Sequence, residues 1–216
     1  MHADNIASSF VTTDDPNRLS PIEGSLMDAC NLAHLARAEG NTAALADIRC
    51  GIAELLARYD ASDGDGHPHP TWARPNQRAM TQSALGDVEA AINTEIVALR
   101  YADTPRRIEV SAGNIADRLL RIGRPDEAVQ YVIQAWEAAP TSVPVMITAA
   151  RAFYRAGQPA EAQAVFAELA ELAPLLGPDS DLAATLRHEH DLSEMADDLP
   201  ALRDLFDWLD TLEAQS

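Results

Sequence analysis

The chain has 216 residues, 47% of them hydrophobic, which is enough for a domain with its own core and too apolar for a disordered one. Sixteen basic against 34 acidic side chains give a formal charge of -18, and such a chain repels polyanions. Nucleic acid is therefore excluded as an expected partner, because that affinity rests on neutralising phosphates, and anionic membrane surfaces are excluded with it.

Aromatic residues make up only 5%, and no stretch alternates with period two for long enough to form a strand, so the expected class is all-α. The opening residues carry neither a basic nor an apolar leader region. No later run approaches the 18 or so apolar residues that span a bilayer, which predicts a soluble, cytoplasmic protein without membrane insertion.

Residues 1–19 mix Asp, Asn, Ser and Thr without a period and read as a mobile tail. Residues 20–60 read as an N-terminal helical hairpin. Ser20, Pro21 and Glu23 form a helix start, with Ser20 as N-cap and Glu23 placed to return a hydrogen bond. Leu26, Cys30, Ala33, Leu35 and Ala36 then lead to a stop at Gly40, and Leu45, Ile48, Ile52, Leu55, Leu56 and Tyr59 form the apolar face of the returning helix. Cys30 and Cys50 each stand ten residues from Gly40, so a hairpin turning there brings them to one level as a pair of buried thiols, with a disulfide or redox pair as the alternative.

Residues 61–75 hold Pro68, Pro70, Pro75, Gly64 and Gly66 and predict a loop. Asp63 and Asp65 resemble the opening of a calcium loop, but Pro68 and Arg74 stand where that loop needs glycine and glutamate. No metal site is expected there. The array predicted for residues 76–174 begins with a helical pattern from Asn76 to Leu85, a stop at Gly86, and a second helix from Asp87 to Tyr101; Thr104-Pro105 then restarts the chain.

From residue 109 to 174 one pattern occurs twice. Gly123 and Gly157 are 34 residues apart, and Pro125/Pro159, Glu127/Glu161, Ala128/Ala162 and Pro140/Pro174 keep the same offset. Each glycine follows a periodic apolar stretch and reads as a helix stop, each following proline as a helix start, and Ala128 and Ala162 as small contacts that let antiparallel backbones approach. In the second helices Val129, Val132, Ile133 and Trp136, then Ala162, Val165, Phe166 and Leu169, form the predicted buried stripe. This 34-residue unit resembles the tetratricopeptide repeat, a helix, a tight turn and an antiparallel helix. The resemblance implies a right-handed superhelical stack of antiparallel hairpins, about ten helices in all. Degenerate units come first and a cap comes last.

The resemblance also implies a concave groove lined by first helices. Transferred position by position, its inward residues are Gly113, Asp117, Leu120 and Arg121 in the first unit and Ile147, Arg151, Tyr154 and Arg155 in the second. Gly113 and Ile147 stand where some members carry a clamp lysine, so recognition of a chaperone tail by that clamp is not expected. Arg121, Arg151 and Arg155 beside Tyr154 and Leu120 suit an acidic or amphipathic peptide, since guanidinium groups make paired hydrogen bonds to carboxylates. The bland reading is that these arginines only offset neighbouring acids.

Residues 175–216 predict C-terminal capping helices near 180–191 and 198–213. Leu199, Leu202, Leu205, Phe206, Leu209 and Leu212 form the apolar side of the last, whose alternative roles are a docking helix or a homo-oligomer seam. His188 and His190, two apart on a helix, point away from each other and read as surface residues rather than metal ligands.

No glycine-rich phosphate loop and no defensible nucleophile grouping is present, so neither cofactor nor enzymatic activity is expected; a metal-dependent enzyme is the third reading. The first reading is a scaffold or adaptor binding a peptide or helix of a partner protein. The second, from the resemblance to bacterial secretion chaperones of this fold such as those of type III systems, is a dedicated chaperone for a secreted or aggregation-prone client.

Overall fold

The computed structural model describes residues 20–188 and 190–214, and the expected mobile tail at 1–19 lies outside them. Every described element is helical, and contacts divide the chain into two units, residues 1–103 and 104–216.

The first unit is two helical hairpins: α1 (Pro21–Ala38) with α2 (Thr42–Ala61), and α3 (Pro70–Ala84) with α4 (Val88–Arg100). α1 begins as its sequence dictates. The Ser20 hydroxyl accepts from the Glu23 N–H at 3.2 Å, and the Glu23 carboxylate accepts from the Ser20 N–H at 2.7 Å, closing both ends of a capping box. Glu23 is buried and also accepts from the Tyr59 hydroxyl, tying the start of α1 to the end of α2. Burial, and then the hydrogen bond to Glu23, raise the Tyr59 phenol above its ordinary range.

The loop between the hairpins is shorter than the sequence suggests. α3 begins at Pro70, not near Asn76, and contains Pro75. Pro70 sits at the first helical position, where no N–H is needed. Pro75 is the sixth residue, so one bond to the Thr71 carbonyl is lost, and Thr71 is exposed enough for water to take its place. The loop's polar residues are each engaged within the fold: Asp63 with Arg74 at 3.1 Å, Asp65 with the Ile22 N–H at 3.1 Å, and His67 buried against Trp72. The expected pair of buried thiols is corrected as well: Cys30 is buried, and burial pushes its thiol up to about 12, but Cys50 is exposed on the outer side of α2. Leu35 is likewise exposed, because the buried stripe of α1 runs through Leu26, Cys30, Ala33 and Ala36.

The second unit contains the two regular repeats, α5 (Pro105–Arg121) with α6 (Pro125–Ala138) and α7 (Val143–Arg155) with α8 (Pro159–Leu172). A 3-10 turn at Ala173–Leu175 carries Pro174, and α9 (Asp181–His188), α10 (His190–Met195) and α11 (Pro200–Glu213) follow. Gly123 and Gly157 take φ of +73° and +74°. The N–H groups of each glycine and its successor turn back to the helix they close: Gly123 to Leu120 and Arg124 to Leu119, Gly157 to Tyr154 and Gln158 to Phe153. Pro125 and Pro159 then open the return helices.

Ala128 and Ala162 have no exposed surface, and each lies in the second helix of a packed pair, α5 with α6 and α7 with α8. The stripe of α8 is as expected, Ala162, Val165, Phe166 and Leu169, all buried. In α6 it is narrower than expected: Ala128, Val132 and Ala135 are buried, while Ile133 is 41% exposed.

Each helix of the repeats packs on the next, and α5 also touches α7, so the two first helices share one face. α11 lies along α8 and ends the stack with Leu202, Leu205 and Leu209 buried. The Gln163 side chain of α8 accepts from the Ala201 N–H at 3.2 Å and fixes where α11 starts. No described helix is long and apolar enough to cross a membrane.

Candidate functional site

The face shared by α5 and α7 holds the inward positions. Packing consumes part of it: Leu120 and Ile147 are each only 2% exposed and belong to the core. Arg121 is exposed at the end of α5, Asp117 is partly exposed, and Gly113 borders open space, since a Cβ there would meet no heavy atom within 4 Å. On α7, Arg151, Tyr154 and Arg155 follow one another at helical spacing towards the turn at Gly157.

These residues are not vacant. The Asp191 carboxylate, on α10, accepts from Arg151 Nε at 2.9 Å and from Arg155 Nη2 at 2.6 Å, both through Oδ2. Arg151 also lies 3.7 Å from Asp117 across the face, and Arg155 Nη1 donates to the Leu120 carbonyl at 3.4 Å. The Tyr154 hydroxyl donates to Asp198 Oδ2 at 2.5 Å, and that hydrogen bond raises its phenol.

Arg151 is 9% exposed overall and lies between two acids, so of the inward arginines it is the one that packing largely covers. Arg155 keeps 36% of its side chain exposed and Asp191 20%. The arrangement holds a carboxylate of the chain itself, and two guanidiniums converging on one oxygen give the contact direction as well as charge.

Asp191 and Asp198 are the participants that the sequence did not single out. They reach α7 across separations of 36 to 44 residues, and no periodicity marks them among the chain's 34 acids. The side chains of His188 and His190 lie outside the described residues.

The first unit has a separate concavity that sequence reading also missed, an open cleft of about 450 Å³ lined by Pro70, Pro75, Val97 and Tyr101. Its guanidiniums, Arg74 and Arg78, both turn onto Asp60, at 3.1 and 2.5 Å. Hydrogen bonding to Asp60 raises Arg74 further, so that cleft presents a satisfied cluster to a ligand.

Residues 119–187 match the family model of the tetratricopeptide repeat, whose members generally mediate protein–protein interaction. No curated protein and no solved structure matches the chain. With the repeat turns at Gly123 and Gly157, the small contacts at Ala128 and Ala162 and consecutive helices packed in pairs, residues 119–187 are tetratricopeptide-like and the all-helical chain around them is consistent with a helical repeat of that kind.

Proposed function

We propose that the protein is a non-enzymatic adaptor, and that its second unit docks a peptide or helix of a partner protein along α5 and α7. The observation that carries this reading is the carboxylate held between Arg151 and Arg155, because a face that takes one acid from a helix of its own chain has the chemistry to take one from another. The open space at Gly113 and the partly exposed Asp117 extend that face beyond the arginines.

The experiment begins with affinity purification from the source cell and mass spectrometry, followed by titration of the purified partner against wild type and Arg155→Ala. Arg155 is the better probe, since Arg151 is itself nearly buried between Asp117 and Asp191, and its truncation disturbs the packing of the fold as well as the face. A loss of about 2 kcal/mol, the low end for a charge contact at an interface and appropriate for a side chain one-third exposed, is expected. Unchanged affinity moves docking away from this face. The chaperone reading has a separate outcome: its client is insoluble when expressed alone and soluble when co-expressed, whereas an adaptor's partner is stable by itself.

A further inference from the structure

We propose that residues 190–199 are a displaceable internal occupant of the α5–α7 face, and that the partner is an acidic amphipathic helix that replaces them. This rests on the reading of that face as the docking surface.

The segment carries apolar residues together with the acids that the C-terminal turns of α7 hold. Leu192, Met195 and Leu199 are buried, while Asp191 and Asp198 place carboxylates on Arg155 and Tyr154. It is held to the repeats through these side chains and not by a helix packed along them. α10 has only six residues, packs on α9, and is separated from α11 by non-helical residues 196–199. α11, by contrast, runs fourteen residues along α8 and holds its own hydrogen bond to Gln163. The occupant can therefore leave while the cap stays in place.

Exposure points the same way. Arg155 and Asp191 are both reachable from solvent, so the Arg155 half of the contact costs little to exchange, while Arg151, its side chain 11% exposed, is the fixed half that an incoming acid meets. Charge selects the replacement: an occupant without a carboxylate leaves two guanidiniums facing apolar surface, and a basic one adds repulsion. On a molecule of net charge -18, this face accepts acid by local design rather than by overall attraction.

The probe is a fluorescein-labelled synthetic peptide with the sequence of residues 190–203, and its control carries asparagine at the positions of Asp191 and Asp198. Both are titrated by anisotropy against the full chain in three forms: wild type, Asp191→Asn/Asp198→Asn, and that double variant with Arg155→Ala added.

The expected result is at least ten-fold tighter binding of the acidic peptide to the double variant than to wild type. The asparagine peptide gains nothing, and Arg155→Ala abolishes the gain. Equal affinity for wild type and the double variant, or equal binding of both peptides, overturns the proposal.

Hydrogen exchange on wild type guards against misfolding of the variants. Saturating acidic peptide is expected to accelerate the amides of residues 190–198 and to leave those of α8 unchanged, and unaltered exchange in 190–198 also overturns it. The two readings fail separately. A partner that loses affinity with Arg155→Ala but gains none with Asp191→Asn/Asp198→Asn leaves the docking face standing and removes the internal occupant. A partner indifferent to Arg155→Ala removes the docking face itself.

Discussion

Replacing Ala128 with leucine is expected to destabilise the α5–α6 hairpin, and it tests the repeat register more directly than any change on the surface. Ala128 is the first buried residue of α6 and has no exposed surface, so an isobutyl group in place of its methyl must push α5 away or adopt a poor rotamer. Overpacking of this kind costs about 1–3 kcal/mol. For a chain of this size, at roughly 2–4 °C per kcal/mol, Tm falls by about 2–12 °C.

Alanine and leucine differ little in helix propensity, so the effect isolates packing. The matched pair on α8 sharpens it. Ala162→Leu, at the equivalent buried position, is expected to fall within the same range, whereas Ala164→Leu, two residues on and exposed, should stay within about 0.5 kcal/mol of wild type. Circular dichroism melts of the three variants decide. Wild-type melting of Ala128→Leu and Ala162→Leu, or an equal fall in Ala164→Leu, refutes the register on which the site rests.

Gly123→Ala and Gly157→Ala are each expected to cost about 1–2 kcal/mol in urea unfolding. The added Cβ meets no neighbour within 4 Å at either place, so the whole cost is the positive φ, and a neutral result contradicts the turn geometry. Ser20→Ala removes one half of the capping box and is expected to cost about 1 kcal/mol; unchanged stability shows the box to be dispensable. Tyr59 governs the alkaline limb. Its folded phenol is raised above the ordinary value of about 10, so the folded state keeps a proton that the unfolded state releases. That stabilisation is complete below about pH 10 and is lost as pH rises further. Wild type should therefore lose Tm above pH 10 more steeply than Tyr59→Phe, and parallel curves exclude the mechanism.

What the sequence made legible is what local chemistry decides. The two repeats were readable because a glycine at positive φ, a proline at the first helical position and a fully buried alanine each have few substitutes, and all recur at one offset. The start of α1 was readable because its capping box closes within four residues. The start of α3 was not, since Pro70 and Pro75 signal a break by composition, whereas one occupies a position that needs no donor and the other loses a single bond near solvent. Which face of α6 is buried was only half readable, because Ile133 is apolar yet stands at the edge of the buried stripe, 41% exposed. The acids of the candidate site were least readable. Asp191 and Asp198 matter through chain closure over 36 or more residues, which no pattern within a helix records.

The exchange of one acid for another constrains what a partner must look like. If a partner's carboxylate takes the place of Asp191, the count of charge-assisted hydrogen bonds to Arg151 and Arg155 is unchanged, so charge sets the position of the incoming helix and contributes little net affinity. The internal segment has the advantage of attachment, equivalent to an effective concentration in the millimolar range. A partner present at micromolar concentration must overcome about three decades, or roughly 4 kcal/mol. At about 25 cal/mol per Å² this corresponds to on the order of 160 Å² of apolar surface beyond what the internal segment covers. Six residues of α10 do not provide that surplus, so an equal replacement of α10 competes only at about millimolar concentration, as the saturating peptide does, and not at the micromolar concentration of a partner. The partner helix must therefore be longer than α10, and the open space around Gly113 on α5 is the part of the face where its additional turns have room to lie.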